Sequence, residues 1–309
     1  MAFFLGIDGG GSKTTCVVGD DKTVLATATT GPCNITRVGQ ARARESLQQA
    51  IDQACSAAGI RSEQVHRACA GVAGAGRDEI VRAVREIVAA IISCPVEILG
   101  DMEIAMEAAF GSGPGVIVVA GTGSIAHGRN SQGQTARSGG WGFAISDEGS
   151  AHWIGREAVA ALLRSLDETS AGNEGIEHIA EGSPMFRGLK DTWKVSSLDQ
   201  FLRCSNSHPD FSALFPAIVA ASNVGDAIAA GVLARAGAEL AALAEIVIQK
   251  IFAGEKAQLA TVGGVFRHSP AVRDSFIRRL HELSPNAEVL PEIVDPVLGA
   301  LQRARRPAK

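Results

Sequence analysis

The feature that most constrains the fold of this chain is a strand, a glycine-rich turn and a returning strand. Residues 3–7 form an apolar run, Gly9-Gly10-Gly11 follow it directly, and residues 14–18 form a second run rich in β-branched side chains. Apolar runs bounded by glycines are typical of buried strands joined by tight turns. The chain therefore opens with a predicted hairpin.

The same pattern returns further along the chain. Residues 116–120 form an apolar run, Gly121-Thr122-Gly123-Ser124 a turn, and residues 125–129 a returning strand. Helical spacing of apolar residues follows each copy, and the second half is the more helical. We interpret the two segments as two copies of one α/β unit.

The chain is long enough for two such domains, since it has 309 residues. A run of small residues at 111–115 separates the two copies and is a plausible boundary. We predict an N-terminal domain over residues 1–114 and a larger C-terminal domain over 115–295. The helix expected at 296–309 is predicted to pack back on the first domain.

Composition excludes several classes of function. The formal net charge is -4, so the chain lacks the positive field that nucleic acid or an anionic membrane selects. The apolar start is too short for a signal peptide, which favours a cytoplasmic protein. Six cysteines occur without a C-x-x-C pair, which argues against a zinc site or a disulfide framework.

The first turn does not fit two well-known phosphate motifs. Ser12 stands between Gly11 and Lys13, so the Walker A spacing fails. Thr14 stands where a dinucleotide fingerprint needs glycine, and a strand follows where that fingerprint needs a helix. The alternatives are a turn without function and a hairpin whose bare backbone N–H groups bind polyphosphate.

The functional alternative is favoured because a second turn of the same kind occurs. Gly10, Gly11, Ser12 and Lys13 are then candidates for ATP phosphates, and Thr122 with Gly123 for the same ligand. Ser12 can donate a hydrogen bond, and Lys13 can neutralise phosphate charge. Asp8, at the end of the first strand, could hold magnesium through water.

Phosphoryl transfer to a hydroxyl needs a carboxylate that orients and deprotonates the hydroxyl. Asp101 follows a predicted strand at 96–99 and Gly100, and it opens a predicted helix at 102–110. It is a candidate general base. The alternative is an aspartate that only caps the helix.

The segment from Ser138 to Ser150 places Trp141 between glycines and ends near two acids, Asp147 and Glu148. An indole packs on pyranose C–H groups, and carboxylates bind hydroxyls, so the mixture suits a sugar. The alternative is a core tryptophan in a tight loop, with Asp147 capping the next helix.

Together these residues resemble the BadF/BadG/BcrA/BcrD ATPase family, and within it the N-acetylglucosamine kinase branch. The matching segments, in order, are Asp8-Gly-Gly-Gly-Ser-Lys-Thr14, Gly100-Asp101, Ala120-Gly-Thr-Gly-Ser124, Gly139-Gly-Trp-Gly142, Asp147-Glu-Gly-Ser150, Gly225-Asp226 and Gly263-Gly264. The resemblance implies an actin-like (ribonuclease H-like) fold with two domains around a cleft. It also implies ATP and magnesium, and transfer to the 6-hydroxyl of an amino sugar.

The resemblance further implies roles for single residues. Ser12 and Thr122 match nucleotide phosphate contacts, and Gly263 with Gly264 lies on the adenosine side. Asp101 matches the catalytic base. The residues that match sugar contacts are Asn34, Asp101, Gly140, Trp141, Gly142 and Asp147.

Several alternatives stay open at this point. The activator branch of the family holds an iron–sulfur cluster with cysteines beside its glycine turns, and residues 120–122 and 262–265 contain none. An ATPase switch without a sugar acceptor and an inactive sugar-binding regulator are the other hypotheses. The acceptor can be N-acetylglucosamine, glucosamine, N-acetylmuramic acid or glucose, since the pocket wall around 169–208 can differ between relatives. The oligomeric state also stays open, with a homodimer as one alternative because such relatives commonly pair.

Overall fold

The computed structural model describes residues 2–168, 173–207 and 209–306. The chain divides into two compact units, one of residues 1–117 with 294–309 and one of residues 118–293. The sequence expectation about residues 169–208 falls partly outside the described residues.

The first unit contains a five-stranded sheet with the strand order β3-β2-β1-β4-β5. Strand β1 runs antiparallel to β2 and parallel to β4, which is parallel to β5. The elements are β1 (Phe3–Gly9), β2 (Thr14–Gly19), β3 (Val24–Thr30), α1 (Ile35–Ala57), β4 (Val65–Val72), α2 (Asp78–Ala89), β5 (Val96–Gly100), α3 (Asp101–Phe110) and the last helix, α12 (Pro296–Arg305).

Helix α12 belongs to the first unit because it packs closely on β1 and α3. A Cβ atom at Gly299 would lie 2.0 Å from the carbonyl oxygen of Ile104, so the two helix backbones touch where glycine leaves room. The Arg303 guanidinium pairs with Glu97 of β5 at 2.9 Å. The Arg305 side chain donates to the Asp20 carbonyl at 2.7 Å.

The second unit contains a sheet with the strand order β10-β9-β6-β7-β8. Its strands are β6 (Gly115–Ala120), β7 (Ser124–Arg129), β8 (Thr135–Gly139), β9 (Ala257–Val262) and β10 (Ala287–Val294). Its helices are α4 (Ala151–Asp167), α5 (Asn173–Gly182), α6 (Pro184–Trp193), α7 (Leu198–Ser205), α8 (Phe215–Asn223), α9 (Ala227–Ile251), α10 (Gly264–His268) and α11 (Pro270–Leu283).

The two sheets have the same strand order when the second is written in reverse, as β8-β7-β6-β9-β10. In both, the first strand lies between its hairpin partner and the fourth strand of the copy, so β6 corresponds to β1 and β9 to β4. The predicted pair of α/β copies is therefore confirmed. The unit boundary, between residues 117 and 118, falls inside β6.

Helix α9 is the central helix of the second unit. Asp226 caps it by accepting from the backbone N–H groups of Ile228 and Ala229. Among the described residues, α9 alone has the length and apolar composition to cross a membrane, and half of its most apolar window is buried in the structure. Its buried side chains, which include Leu233 and Leu240, make it a core helix of this unit.

Two strands and three helices were not predicted from the sequence. Strand β8 is short and mostly polar, and β10 contains Pro291 with a weak alternation of apolar side chains. Proline argues against a strand in a sequence-based prediction, although an edge strand tolerates it. Strand β10 is at the edge of its sheet, which explains the miss. The three missed helices are α5, α6 and the short α10.

Candidate active site

The first turn, between β1 and β2, is held by hydrogen bonds on both sides. Within it, the Gly10 N–H donates to the Lys13 carbonyl at 3.0 Å. The Gly10 carbonyl accepts from the Cys33 N–H at 3.3 Å. A Cβ at Gly9 would lie 2.5 Å from the Cys33 sulfur, so the turn and the segment before α1 are in direct contact.

The strand register brings Asp8 and Asp101 to one edge of the first sheet. Asp8 pairs with Gly71 of β4, and Gly9 pairs with Val72, which in turn pairs with Gly100 of β5. Asp101 is the next residue of the chain. Since β1, β4 and β5 are parallel, their carboxyl ends meet at this edge, where the turn also lies.

Burial, and after it the nearby carboxylates of Asp101 and Asp295, raise the pKa of Asp8 to about 7, while Lys13 opposes the rise. A buried carboxylate with like-charged neighbours favours its protonated form. This edge of the first unit is therefore strongly acidic, and a cation bound there would relieve the repulsion.

Asp101 is the first residue of α3 rather than its cap. Gly100 occupies the cap position, and its N–H donates to the Glu103 carboxylate at 2.7 Å. One Asp101 oxygen accepts from the Met102 N–H at 3.0 Å. Burial raises the pKa of Asp101, and that backbone hydrogen bond opposes the rise. The capping side chain of α3 is therefore Glu103, and the alternative in which Asp101 only caps the helix is not supported.

Asn34 lies beside the first turn because Cys33 is hydrogen-bonded to it. The Asn34 side-chain oxygen accepts from the Thr36 N–H at 3.1 Å and caps α1. Gly39, at a φ of 78°, interrupts α1 after one helical turn. The first unit therefore brings Asp8, the turn residues 9–13, Asn34 and Asp101 together. In the sequence these candidates belong to separate motifs.

In the second unit, the turn between β6 and β7 is bonded to the segment that follows β8. The Gly121 carbonyl accepts from the Ala151 N–H at 2.8 Å. The Ser124 hydroxyl donates to the Glu148 carbonyl at 2.7 Å, and the Ser124 carbonyl accepts from the Gly140 N–H at 2.9 Å. The segment around residues 140–148 is therefore fixed to the turn.

The Asp147 carboxylate lies against the second turn. A Cβ at Gly123 would lie 2.6 Å from one Asp147 oxygen, so only glycine leaves room for the carboxylate. The other oxygen accepts from the Gly142 N–H at 3.2 Å. Burial raises the pKa of Asp147, and the Gly142 hydrogen bond opposes the rise. Asp147 does not cap the next helix, since Ser150 does so by accepting from Trp153.

Trp141 is on the surface of the second unit. Its side chain is 65% exposed, and the Arg137 guanidinium stacks 4.6 Å from the ring centroid. Phe143 and Ile145, in the same segment, are also exposed. The alternative of a core tryptophan is therefore excluded, and an indole face is accessible near Asp147.

Gly263 lies beside the strand that leads into the second turn. It has a φ of 105°, and a Cβ there would lie 2.3 Å from the Ala120 carbonyl oxygen. Gly264 begins α10 and has more space, since a Cβ would be 3.8 Å from its nearest neighbour, His268. The second unit thus brings together Thr122, Gly123, Gly140, Trp141, Gly142, Asp147, Gly263 and Gly264.

Two residues of the first unit were missed in the sequence. Asp295, at the N-terminal end of α12, is far from Asp8 along the chain, yet its negative charge raises the pKa of Asp8. Arg37 extends its guanidinium toward Gly11. Neither has a motif of its own, so only the folded arrangement identifies them.

The fold is shared with the solved structure of a protein assigned as an N-acetylglucosamine kinase from Chromobacterium violaceum. The TM-score is 0.75 at 23% sequence identity, over 98% of each chain. The likeness confirms the predicted class, an α/β chain of the actin-like ATPase fold built from two copies of one unit.

The chain belongs to the BadF/BadG/BcrA/BcrD ATPase family, whose model matches residues 5–304. It is 31% identical over 312 residues to the N-acetylmuramic acid/N-acetylglucosamine kinase of Clostridium acetobutylicum, with 99% of each chain covered. It is 28% identical over 312 residues to the N-acetyl-D-glucosamine kinase of Dictyostelium discoideum, with 96% of each chain covered. The resemblance read from the motifs is confirmed.

Proposed function

We propose that this protein is an ATP-dependent kinase that phosphorylates the 6-hydroxyl of an amino sugar, N-acetylglucosamine or glucosamine. The observation that carries the proposal is the meeting of the first glycine turn with Asp101 at one edge of the first sheet. The named activities of the full-length relatives support the acceptor class.

The donor nucleotide is assigned to the two glycine turns. Gly10, Gly11, Ser12 and Lys13 of the first unit bind phosphate through backbone N–H groups, a hydroxyl and an ammonium group. Thr122 and Gly123 of the second unit contact phosphate in the same manner. Gly263 and Gly264 accommodate the adenosine part, where the absence of a side chain leaves space.

The acceptor hydroxyl is assigned to Asp101. Its carboxylate takes the hydroxyl proton while the hydroxyl oxygen forms a bond to the γ-phosphorus, and the bond from that phosphorus to the bridging oxygen of ADP breaks. Burial raises the pKa of Asp101, which makes its carboxylate a stronger base than an exposed aspartate. Asp101 must be ionised to act, so activity is expected to rise with pH through its pKa.

The sugar is assigned to Asn34, Asp101, Gly140, Trp141, Gly142 and Asp147. The exposed indole of Trp141 offers an apolar face for pyranose C–H groups. Asp147, whose burial raises its pKa, offers oxygens to sugar hydroxyls. Asn34 reaches the acceptor from the segment that borders the first turn.

Magnesium fits the residues of the first unit. This ion usually takes one or two carboxylates, several waters and the phosphates of its nucleotide. Asp8 supplies such a carboxylate and would hold the ion through water, with phosphate oxygens completing the set. When bound, the ion neutralises phosphate charge. We also propose that the protein acts in the cytoplasm and as a homodimer.

The test is a coupled ADP-release assay with magnesium ATP and a panel of N-acetylglucosamine, glucosamine, N-acetylmuramic acid and glucose. Wild-type protein is expected to release ADP only with an amino sugar, and Asp101→Asn is expected to lose this activity. The matched control is Asp78→Asn, since Asp78 begins α2 as Asp101 begins α3. A 6-deoxy acceptor is expected to give no product.

Two outcomes would contradict the proposal. ADP release that is independent of sugar would favour an ATPase switch without an acceptor. Equal activity of Asp101→Asn and Asp78→Asn would remove Asp101 from the role of general base. NMR of the product identifies the phosphorylated hydroxyl.

A further inference from the structure

The short helical turn that follows Asn34 holds an arginine beside the first glycine turn. Residues 35–38 form one turn of α1, and Gly39, at a φ of 78°, separates it from the rest of the helix. The backbone N–H of Arg37 donates to the Asn34 carbonyl at 2.9 Å. The position of Arg37 is therefore fixed to the segment that borders the first turn.

The Arg37 side chain extends across Gly11. A Cβ at Gly11 would lie 3.3 Å from a guanidinium nitrogen of Arg37 and 3.8 Å from its Cδ. The absence of a side chain at Gly11 thus gives the guanidinium access to the middle of the turn. Lys13 occupies the end of the same turn, so two cations border its backbone N–H groups.

Arg37 is exposed, and within the described part of the chain it forms no ion pair. Its neighbour Arg42, in contrast, pairs with Glu45 at 2.6 Å. A guanidinium without a carboxylate partner, held beside Gly11 and Lys13 of the first turn, is suited to a bidentate contact with phosphate oxygens. The alternative is a surface arginine without a function, whose aliphatic stem only covers Gly11.

We propose that Arg37 is a catalytic residue that binds the phosphoryl group transferred from ATP. The inference rests on the proposed kinase function. Asn34, the assigned acceptor contact, is three residues before Arg37, so the guanidinium lies where donor phosphate and acceptor meet. As the γ-phosphorus moves from the ADP oxygen to the acceptor oxygen, Arg37 neutralises the charge on its equatorial oxygens.

The test compares Arg37→Ala and Arg37→Lys with wild type and with Arg44→Ala. Arg44 is an exposed arginine of the same helix and has no assigned role. Calorimetry measures binding of ADP and of a non-hydrolysable ATP analogue, and the ADP-release assay measures kcat. Circular dichroism checks that each variant is folded.

Removal of the guanidinium is expected to lower kcat about 10–100-fold, the loss of a charge-assisted hydrogen bond. Binding of the ATP analogue is expected to weaken about tenfold while ADP binding changes less than about twofold, because ADP lacks the γ-phosphate. Arg37→Lys is expected to recover part of the binding and less of kcat, since lysine lacks the planar fork. Arg44→Ala is expected to match wild type.

Three results would overturn the inference. Equal weakening of ADP and the ATP analogue would place Arg37 on the β-phosphate. A raised KM for an acidic acceptor alone would make it an acceptor contact, and no change at all would make it a surface arginine. If wild type binds the ATP analogue but transfers no phosphate to sugar, the proposed function fails separately, and the difference between the two nucleotides still decides where Arg37 binds.

Discussion

Asp226 should be the most costly single carboxylate to remove from the second unit. One of its oxygens accepts from the N–H groups of Ile228 and Ala229 at 3.1 and 3.0 Å. The other accepts from the Ser183 hydroxyl at 2.9 Å and the Met185 N–H at 3.1 Å. One buried side chain therefore caps α9 and also attaches the start of α6.

The expected cost of Asp226→Ala follows from these four hydrogen bonds. Loss of a helix cap costs about 1 kcal/mol. Leaving the buried Met185 N–H without an acceptor costs about 1–3 kcal/mol, and losing the half-buried bond to the Ser183 hydroxyl costs about 1 kcal/mol more. The free energy of unfolding should fall by about 3–5 kcal/mol in total.

Two further variants separate the contributions. Asp226→Asn keeps an acceptor oxygen for α9 but turns an amide N–H₂ toward Ser183 and Met185, so it should lose about half as much as alanine. Ser183→Ala removes one of the four bonds, together with the Ser183 cap on Phe186. Because Ser183 and Asp226 are bonded, the double variant should cost less than the sum of the single ones.

Urea unfolding followed by circular dichroism measures these differences. A cost below about 1 kcal/mol for Asp226→Ala would refute the reasoning, since a cap alone contributes that much. Strict additivity of the two variants would also refute it, because it would show that the bond between them does not contribute.

Two further predictions concern the first unit. Gly299→Ala should lower the free energy of unfolding by more than about 2 kcal/mol, because the added Cβ would lie 2.0 Å from the Ile104 carbonyl oxygen. Its control is Gly231→Ala in α9 of the second unit, which has open space around it and should raise the free energy of unfolding by about 0.5–1 kcal/mol. Urea unfolding that ranks the two variants the other way would contradict the packing. In EDTA, wild type should lose stability relative to Asp8→Asn as pH rises from 3.8 to about 7, because burial raises the native pKa of Asp8 and only the native state keeps the proton in that window. The difference reaches at most about 4 kcal/mol at 1.36 kcal/mol per pKa unit. Parallel curves of stability against pH for Asp8→Asn and wild type would contradict the acidic edge. The backbone N–H groups of Thr23 and Lys22 lower the pKa of Asp20, so wild type should gain stability relative to Asp20→Asn as pH rises.

Much of the fold could be predicted because the sequence pattern of each hairpin lies within a short segment of the chain. The strands around residues 3–18 and 116–129 combine β-branched side chains with glycine turns, and the structure has strands at both places. The polar strand β8 and the proline-containing β10 could not be found, because their pairing depends on neighbours in the sheet.

The candidate site could be predicted residue by residue but not as an arrangement. Asp8 and Asp101 each follow a local pattern, whereas their place at one sheet edge depends on the register of β1, β4 and β5. Arg37 and Asp295 had no local signal, since an exposed arginine or a helix-start aspartate is common on any surface. Their relation to the turn arises only from packing.

The glycines of the two turns are required for different physical reasons, which a motif cannot separate. Gly9 and Gly123 are required by the fold, because a Cβ would collide with the Cys33 sulfur or the Asp147 carboxylate. Gly121 differs, since a Cβ there would meet nothing within 4 Å. The fold would accept a larger residue at Gly121, as it would at Gly231, so packing does not account for the glycine at this position. The glycines of the two turns therefore look alike in the sequence, although only some of them are required by close packing.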